Sequence, residues 1–429
     1  MNILITGGNG FVAREIINRL SSLGHQLTVC VRKLSDCVLS DPNIKTIQTD
    51  FHLNTEKSCW LPYLSKIDVV INCVGVFQTL TSKAMWDIHY HAPRALFDAC
   101  QETGVKKIIH ISALGIDKNN ADYAKSKMVA ETYLHTLTID SIIIRPSFIY
   151  SHGSYGGSSL FRGLAALPFF IFLPADGEQL LQPIYLHDLV KIVEKSLGLS
   201  GKHLLCASGS EKISLQFLLN KMRAWLGFKR AINIKVPIFF IRIAAKFGDF
   251  FRNSPLSTTA VKLMMIDNVA SDAEFAILTK TVGFTPRSFT QGLNHMISAV
   301  QDRWHARLFF LRPLLRLSIA FLWIFTGVIS LGYANTFSYP LLTEAGIQPS
   351  LQPLLLYGAS IVDLVLGFAV LCNYCLKITG LIQITLITLF TAIISIKLPA
   401  YWVHPFASIA KNIPLIVATL IMMALESDR

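Results

Sequence analysis

The last third of the sequence contains four long apolar stretches, which constrain the fold more than any other feature. A helix that crosses about 30 Å of hydrocarbon needs roughly 20 mostly apolar residues. The stretches 318–334, 378–396 and 413–425 carry no charged side chain, and 354–371 carries one, Asp363. We predict an all-α bundle of four transmembrane helices over residues 305–429, which returns the chain to its starting side. The predicted spans are about 313–334, 353–372, 377–397 and 409–425.

The charged residues separate this back portion from the front of the chain. Residues 1–304 hold 32 of the 39 Lys and Arg and 23 of the 27 Asp and Glu, a net charge of +9. Residues 305–429 hold only 7 basic and 4 acidic residues. We infer a water-soluble front fused to a membrane back. That division excludes a disordered chain, a disulfide-rich secreted module and a fully soluble enzyme.

The distribution of Lys and Arg around the predicted spans indicates the orientation. Four arginines precede the first span, whereas the loop at 333–352 contains no Lys or Arg. The positive-inside rule therefore places the front domain in the cytoplasm, in a multi-pass protein of the cell inner membrane. Lys397 and Lys411 flank the third loop and favour the opposite orientation. MNILITGG lacks a basic region followed by a long apolar core, so we expect no signal peptide.

Asp363 lies within the second predicted span. A carboxylate there is costly, faces the interior of a bundle and often marks a functional path. Arg316, His404 and Lys411 are candidate partners. A structural ion pair and a ligand or proton site both stay open.

The eight cysteines are scattered through strand-like and membrane segments. Such scatter is no disulfide framework and suits a reducing cytoplasm. Cys372 and Cys375 have the spacing of a redox pair, although no thioredoxin-like pattern surrounds them. Two incidental cysteines at the membrane edge are the alternative.

The front of the chain begins with a strand, a glycine-rich turn and a helix. Asn2–Thr6 is a β-rich run, GGNG follows it, and an amphipathic segment extends to Leu23. This order is the first unit of a dinucleotide-binding fold. Gly7 allows the tight turn, Gly10 lets the backbone reach the pyrophosphate, and Ala13 is small enough for the helix to pack on the strand.

Strand and helix patterns then alternate along the first 200 residues. Such alternation predicts an α/β doubly wound parallel sheet (a Rossmann fold), with its ligand crevice at the carboxyl ends of the strands. We predict an NAD(P)-binding domain over 1–200, then a small substrate lobe and membrane-proximal segment over 201–304. Further strands are predicted at 26–32, 45–49, 68–76, 107–112 and 141–145, with a helix at 84–100.

Two cations, Arg32 and Lys33, end the second predicted strand. An acidic residue at this place binds the ribose 2′-hydroxyl of NAD, whereas a cation suits the 2′-phosphate of NADP. We predict NADP(H) as the preferred cofactor. NAD(H), with an ordinary solvated strand end, is the alternative.

A serine, a tyrosine and a lysine supply the predicted chemistry. Ser112 ends the fifth predicted strand, and Tyr123 and Lys127, four residues apart, share one face of the next helix. A lysine ammonium beside a phenol lowers the pKa of the tyrosine toward the working pH. Ser112 would then hydrogen-bond a substrate oxygen while Tyr123 passes a proton during hydride transfer.

With these motifs in place, residues 1–300 resemble the short-chain dehydrogenase/reductase superfamily in its atypical and extended branches, which include NAD-dependent epimerases and dehydratases. TGGNGFVA looks like the cofactor turn, and Ser112, Tyr123 and Lys127 look like the catalytic trio. The resemblance implies that NCVG and RPSFIY also contact the cofactor and that Asp50-Phe51 contacts adenine. Tyr123 and Lys127 are among the implied cofactor contacts, together with Phe11, Val12, Asp50, Phe51, Val74, Gly75, Pro146, Ser147 and Phe148.

Two departures from the family pattern leave catalysis open. The fourth catalytic residue of classical members, an asparagine, has no clear counterpart in WDIHYHAPRAL, and Ser151 replaces the glycine usual after RPSxxY. The sequence is also similar to the nucleotide-binding accessory subunit of respiratory complex I, which holds NADP(H) without turnover. A bound but idle cofactor is therefore a second interpretation.

A basic segment lies in the middle of the chain. Eight basic residues and one acidic residue, Asp249, occur between Lys221 and Arg252, interleaved with the apolar run 236–251. This run is too short and too charged to span a bilayer, but it suits contact with anionic lipid. A helix packed in the substrate lobe is the alternative. No recognition motif accompanies the charge, so we expect no nucleic-acid partner.

The predicted bundle resembles the DoxX-like membrane family through RPLLRLSIAFLWIFTG and HPFASIAKNIPL. That resemblance implies a link to quinone or thiol redox chemistry. A bundle, rather than one anchoring helix, fused to a hydride-transfer site favours a substrate with a lipid or isoprenoid part.

Three hypotheses of function follow. The first is a membrane-anchored NAD(P)H-dependent oxidoreductase or epimerase-like protein acting on a carbonyl or hydroxyl of a small, lipid-like substrate. The second is a non-catalytic NADP(H)-binding scaffold or redox sensor of a membrane complex. The third is a quinone-linked redox subunit with a respiratory partner. No metal site is predicted, and the substrate and oligomeric state stay open.

Overall fold

The computed structural model describes residues 1–34, 41–77, 79, 81–248, 258, 261 and 265–426. These residues form two compact units, Met1–Ala306 and Arg307–Arg429, and each is described by itself. The basic segment is described continuously only to residue 248, so Asp249 and Arg252 lie outside the described residues, as does Cys37.

Unit 1 is a mixed α/β unit. Its described strands are β1 (Asn2–Thr6), β2 (Gln26–Val31), β3 (Ile44–Gln48), β4 (Val69–Asn72), β5 (Lys107–Ile111), β6 (Asp140–Pro146), β7 (Ile149–Tyr150), β8 (Phe170–Pro174), β9 (Leu180–Leu181), β10 (Ile184–Tyr185), β11 (Lys202–Ala207), β12 (Ile213–Ser214) and β13 (Ile232–Val236). Its described helices are α1 (Phe11–Ser22), α2 (Leu61–Leu64), α3 (Ser82–Trp86), α4 (Ala92–Thr103), α5 (Asp122–Thr136), α6 (Gly157–Ala165), α7 (Leu186–Ser196), α8 (Leu215–Trp225), α9 (Ile238–Gly248), α10 (Asp272–Val282) and α11 (Phe289–Asn294).

The main sheet of unit 1 has seven strands in the order β11-β6-β5-β4-β1-β2-β3, all paired in parallel. Apolar residues cover both of its faces, as a parallel sheet requires. Successive side chains of a strand point to opposite faces, so Ile3 and Ile5 belong to one core and Leu4 to the other. The first core packs against α1, α7 and α10, and the second against α4. The predicted doubly wound fold is confirmed.

Two elements of this sheet region differ from the sequence pattern. The helix predicted at 84–100 is interrupted, because a π-helical turn at Asp87–His91 separates α3 from α4. The edge strand β11, which pairs with β6, was not among the predicted strands. It begins with the polar residues Lys202 and His203, which obscure the short apolar run behind them.

A smaller lobe of unit 1 has a core of its own. The parallel pair β8–β13 packs with α6, α8 and α11. Phe161, Leu218 and Phe289 are buried in this core. Asp188 at the start of α7 is also buried, and it accepts the backbone N–H of Arg287 at 2.9 Å. This contact fixes the segment that precedes α11.

Unit 2 contains the apolar helices. Among the described residues, three helices are long and apolar enough to cross a membrane: α12 (Val300–Gly332, which begins in unit 1), α14 (Gln352–Leu371) and α15 (Leu376–Lys397). Between and after them lie α13 (Tyr339–Glu344) and α16 (Asn412–Leu425). At 1.5 Å per residue, α16 is about 21 Å long, which is less than the roughly 30 Å of hydrocarbon. A fourth crossing at 409–425 stays a prediction.

Glycines bring α12 and α14 together. A Cβ added to Gly367 would lie 2.6 Å from Ile324 Cγ1, and one added to Gly327 would lie 2.9 Å from the Ser360 carbonyl oxygen. Close approach of backbones at small residues is typical of membrane helices. The two contacts hold these helices together over at least two turns.

Asp363 lies on the buried face of α14, together with Ser360 and Gly367. It forms no hydrogen bond or ion pair within the described part of the chain. Of its candidate partners, Arg316 pairs with Glu426 at 3.4 Å instead, because Glu426 directly follows α16. In the turn between α14 and α15, the thiols of Cys372 and Cys375 are free and both residues are exposed.

Candidate functional site

The glycine turn between β1 and α1 forms one end of the candidate site. Gly7 has a φ of +71°, a left-handed conformation that favours glycine, and its carbonyl oxygen accepts the Gly10 N–H at 2.7 Å. Gly10 is exposed and directly precedes α1. The N-terminus of a helix presents unpaired N–H groups and the positive end of the helix dipole. This turn can therefore hold a pyrophosphate.

Gly8, to which the motif assigns no role, is tightly packed within the turn. A Cβ there would lie 2.1 Å from Val29 Cγ1, which is in the core. The Gly8 N–H donates to the Cys30 carbonyl at 2.9 Å and so ties the turn to β2. This constraint comes from a neighbouring strand and leaves no local signal in the sequence. Phe11 and Val12 follow as the partly buried first residues of α1.

Arg32 and Lys33 directly follow β2, and both are exposed. Neither forms an ion pair with another residue of the described ranges. Because β1 and β2 are parallel neighbours in the sheet, Arg32 and Lys33 lie at the same edge of the sheet as the glycine turn that follows β1. Both remain candidates for binding a 2′-phosphate.

Asp50 and Phe51 lie in the loop after β3. The Asp50 carboxylate accepts the His52 N–H at 2.9 Å, which makes it part of a local turn. The Phe51 side chain is buried and packs edge-on against Trp60, with 5.3 Å between ring centroids. The main chain of Phe51 is therefore the part that can contact an adenine.

A buried hydrogen-bond network joins the carboxyl ends of β1, β4 and β5. Thr6 Oγ1 donates to Asn72 Oδ1 at 2.6 Å, and Asn72 Nδ2 donates to His110 Nδ1 at 3.1 Å. Asn72 Oδ1 also accepts the Val74 N–H at 3.3 Å. Burial lowers the pKa of His110 to about 3, so its ring is neutral. The network fixes the backbone that leaves β4.

Val74 and Gly75 connect the glycine turn to the predicted catalytic residues. A Cβ added to Gly7 would lie 3.2 Å from Val74 Cγ2. A Cβ added to Gly75 would lie 3.4 Å from Lys127 Nζ and 3.8 Å from His89 Nε2. A larger residue than glycine would therefore crowd the ammonium group.

Ser112, Tyr123 and Lys127 are buried at the carboxyl end of β5. Lys127 Nζ donates to the Ile111 carbonyl at 3.2 Å and lies 5.8 Å from the centre of the Tyr123 ring. Ser112 Oγ forms no hydrogen bond with any residue that the structure describes. A buried hydroxyl without a partner is costly. Ser112 is thus placed to bind an oxygen or nitrogen atom of a ligand.

Burial dominates the electrostatics of this group. It lowers the pKa of Lys127 to about 8 and raises the pKa of Tyr123. The lowered tyrosine pKa expected from the spacing is not found, because desolvation of the phenolate outweighs the effect of an ammonium that is held by the Ile111 carbonyl. Tyr123 is a neutral phenol in this structure, which suits it to donate a proton.

His89 belongs to the site although the motifs did not identify it. It lies in the π-helical turn, where its Nε2 accepts the Val76 N–H at 3.1 Å and its Nδ1 lies 3.4 Å from Ser126 Oγ. Its ring stands edge-on to Tyr123 at 5.3 Å between centroids. Burial lowers the pKa of His89 well below its usual range, so the ring is neutral. A π-helical turn often marks a functional site.

The segment after β6 bounds the other side of the site. Pro146 and Ser147 are buried, and the Phe148 N–H donates to Asn268 Oδ1 at 3.0 Å. Asn268 Nδ2 donates to the Leu114 carbonyl at 3.0 Å. Asn268 therefore joins the loops after β5 and β6. No sequence signal identifies it, because its partners lie far away along the chain.

A buried ion pair supports the helix that carries Tyr123. Arg145 on β6 donates through Nε to both carboxylate oxygens of Glu131 on α5, each at 3.1 Å. Loss of one partner would leave a buried charge unpaired, which is strongly destabilising. The pair holds α5 against the sheet.

Comparison with known protein families agrees with this geometry. Residues 7–162 match the model of an NAD(P)H-binding family, and residues 320–420 match the model of the DoxX-like family. The chain therefore carries an NAD(P)-binding Rossmann domain followed by a C-terminal DoxX-like domain. Both had been predicted from their motifs.

Individual relatives resemble the front of the chain. The mitochondrial NADH dehydrogenase (ubiquinone) 1 alpha subcomplex subunit 9 of Rattus norvegicus is 26% identical over 197 residues, which is 44% of this chain and 50% of that protein. This chain thus spans about half the length of that curated relative.

Solved structures of sugar-nucleotide enzymes share the fold. The dTDP-glucose 4,6-dehydratase DesIV of Streptomyces venezuelae, with NAD bound, aligns with a TM-score of 0.54 at 15% identity, over 69% of this chain and 96% of that one. The UDP-glucose 4-epimerase of Thermotoga maritima, with UDP-glucose, aligns with a TM-score of 0.52 at 15% identity, over 71% and 100%. These likenesses show an epimerase/dehydratase-like fold.

Proposed function

We propose that this chain, in which an NAD(P)-binding Rossmann domain precedes a DoxX-like membrane domain, is an NADP(H)-dependent oxidoreductase or epimerase-like enzyme. Its substrate is a small molecule with a carbonyl or hydroxyl group linked to a lipid or isoprenoid part. The observation that carries the proposal is the group formed by Ser112, Tyr123 and Lys127 beside the glycine turn.

The residues present fit such a cofactor. The exposed start of α1 at Gly10 suits the pyrophosphate, and the absence of a side chain at Gly75 leaves space next to the buried ammonium of Lys127. The unpaired Ser112 hydroxyl needs a ligand atom. When bound, the nicotinamide supplies or accepts the hydride.

The side chains of the site then bind the oxygen of the substrate and transfer its proton. Ser112 Oγ hydrogen-bonds the carbonyl oxygen and orients it. Tyr123, as a neutral phenol, donates its proton to that oxygen during reduction and takes it back during oxidation. Lys127 provides an ammonium group that stabilises the phenolate left behind.

Cofactor choice tests the role of Arg32. Charge-assisted hydrogen bonds contribute about 1.5–3 kcal/mol, so Arg32→Asp should weaken NADPH binding by about 10- to 100-fold. NADH should bind no worse, because an acidic residue suits the free 2′-hydroxyl. Fluorescence titration of the full chain in detergent measures both affinities. Lys45→Asp, an exposed change on β3, is the matched control. Equal losses for the two cofactors would contradict the 2′-phosphate assignment.

The lowered pKa of Lys127 predicts a pH dependence of cofactor binding. Below pH about 8 the side chain is charged, and above it the free protein holds a neutral amine. NADPH affinity should therefore begin to fall as the pH rises above about 8, because binding favours the charged form. Lys127→Met should bind weakly at low pH and lose this dependence, whereas the exposed Lys125→Met, on the same helix, should keep it. If NADPH affinity of Lys127→Met depends on pH as that of the parent does, Lys127 is not the group that causes the dependence.

A non-catalytic NADP(H)-binding scaffold or redox sensor is the second candidate. The observation that favours it is the raised pKa of Tyr123, since a phenol that is not primed to lose its proton also suits a resting site. The rat relative is, by its name, a subunit of a larger dehydrogenase. A site of this kind would keep the cofactor contacts and lack turnover.

Turnover distinguishes the two candidates. The full chain in mild detergent is mixed with NADPH and a panel of isoprenoid aldehydes, keto sugars and quinones, and oxidation of NADPH is followed. Reduction of any carbonyl compound in the panel supports the enzyme. Tight NADPH binding without turnover across the panel supports the scaffold and contradicts the enzyme.

The apolar helices integrate the chain in a membrane. We infer that this is the cell inner membrane and that the N-terminal domain lies in the cytoplasm. The support is the cluster of basic residues at the start of the first apolar stretch. The cluster consists of Arg303, Arg307, Arg312 and Arg316.

A further inference from the structure

The smaller lobe of unit 1 exposes an unusual number of large apolar side chains. They come from the strand pair β8–β13, the residue that precedes it and α9, and we call them the phenylalanine-rich surface. Single exposed apolar residues are ordinary, but a contiguous group of them marks an interaction site. The surface consists of Phe169, Phe170, Phe172, Ile232, Phe239, Phe240 and Ile243.

Strand β8 is apolar on both of its faces. Ile171 and Leu173 of β8 point into the lobe core and are fully buried, whereas Phe170 and Phe172 alternate with them and point outward. Phe170 is in register with Ile232 of β13, which is 65% exposed. A strand with one solvated face normally carries polar residues there. The outward residues Phe170, Phe172 and Ile232 therefore depart from the polar pattern of a solvated face.

The helix α9 continues this surface directly after β13. Phe239, Phe240 and Ile243 lie within one arc of the helix, at i, i+1 and i+4, and the two phenylalanines are 64% and 60% exposed. Ala245, on the opposite side, is fully buried. The phenylalanines therefore lie on the exposed side of the helix.

Positive charge borders the apolar residues in the segment before β13 and on α9. Between residues 226 and 248 the chain has five Lys or Arg and no Asp or Glu, and 167–174 has no charge at all. All five cations are exposed, and none forms an ion pair with another described residue. Arg242 and Lys246 lie along one side of the apolar arc of α9. Lys235 is in register with Leu173 and so lies on the other face of the strand pair from Phe170. The cations are Lys229, Arg230, Lys235, Arg242 and Lys246.

We propose that the phenylalanine-rich surface binds the anionic face of a lipid bilayer, with the aromatic rings at headgroup depth and the cations Lys229, Arg230, Arg242 and Lys246 on lipid phosphates. Aromatic and basic residues together have this preference. The occupant is a bilayer because α12 carries the chain from unit 1 into apolar spanning helices, which tether unit 1 to a membrane. Nucleic acid would use the cations and leave the phenylalanines exposed. The inference is independent of the proposed enzymatic function.

Hydrogen exchange of the full chain in lipid nanodiscs tests this proposal. Amides of β13 and α9 should exchange at least about tenfold more slowly in discs that contain phosphatidylglycerol than in phosphatidylcholine discs or detergent. The double variants Phe239→Ser/Phe240→Ser and Arg242→Glu/Lys246→Glu should each lose that protection. Unchanged NADPH affinity shows that the front domain of each variant is folded.

The matched control is on α10, where Ile277 is 54% exposed and Lys280 is exposed one turn later. Ile277→Ser/Lys280→Glu makes the same kinds of change and should leave the lipid-dependent protection intact. Equal exchange of the parent in anionic and neutral discs would overturn the proposal. Protection that rises with protein concentration in detergent, without lipid, would overturn it too and would assign the surface to a second copy of the chain.

Discussion

In the Tyr123→Phe variant, NADPH-dependent reduction of a carbonyl substrate should fall by about 10²- to 10⁴-fold, the usual contribution of a positioned general acid. The phenol is buried beside Lys127 and His89, so removal of its oxygen deletes the proton donor and leaves the ring contacts in place. NADPH affinity should change little. The expected loss is therefore in kcat, and it is measured by comparing kcat and the NADPH dissociation constant of the parent and the variant.

Tyr133→Phe is the matched control for this experiment. Tyr133 lies on the same helix, and its hydroxyl donates to Asp98 away from β5, so the same chemical change there should leave kcat near that of the parent. If Tyr123→Phe and Tyr133→Phe both keep the turnover of the parent, a group other than Tyr123 transfers the proton. His89 would then be the next group to substitute, because its titratable ring lies 5.3 Å from that of Tyr123 between centroids.

The main sheet could be predicted because each strand is specified by a short, continuous stretch of the sequence. Strands such as β4 and β5 are buried on both faces and appear as short, continuous apolar runs between turns. The glycine turn and the start of α1 follow from the same reasoning, since φ above zero and a free helix N-terminus have clear residue preferences. Of the three predicted catalytic residues, Tyr123 and Lys127 could be paired because helical spacing places them on one face.

The features that escaped prediction depend on groups far apart in the sequence. The π-helical turn adds one residue to a helix, and a hydrophobic pattern does not register that addition, so the position of His89 stayed hidden. The raised pKa of Tyr123 reflects burial, whereas the YxxxK spacing reports only the neighbouring charge. Asn268 joins loops more than 100 residues away, and its identity alone gives no hint of this.

The glycine turn gives a second large effect, on cofactor binding. In Gly10→Ala, the new Cβ would lie 2.9 Å from the Gly7 carbonyl oxygen, which is backbone and cannot rotate away. The turn must open, and the hydrogen bond from the Gly10 N–H to the same oxygen is strained. The N–H groups at the start of α1 then move from the pyrophosphate position. Two charge-assisted bonds lost at about 1.5–3 kcal/mol each weaken NADPH binding by at least about 100-fold.

The choice of Gly10 over Gly8 matters for the interpretation of this result. A Cβ on Gly8 would meet Val29 in the core at 2.1 Å and would destabilise the whole domain, so a loss of binding there would be ambiguous. Gly10 is exposed, and its substitution should lower thermal stability only slightly. Gly198→Ala, where the added Cβ meets its nearest neighbour at 3.6 Å, is the matched control and should bind NADPH like the parent. Parental affinity in Gly10→Ala, with thermal unfolding unchanged, would mean that the pyrophosphate does not use this turn.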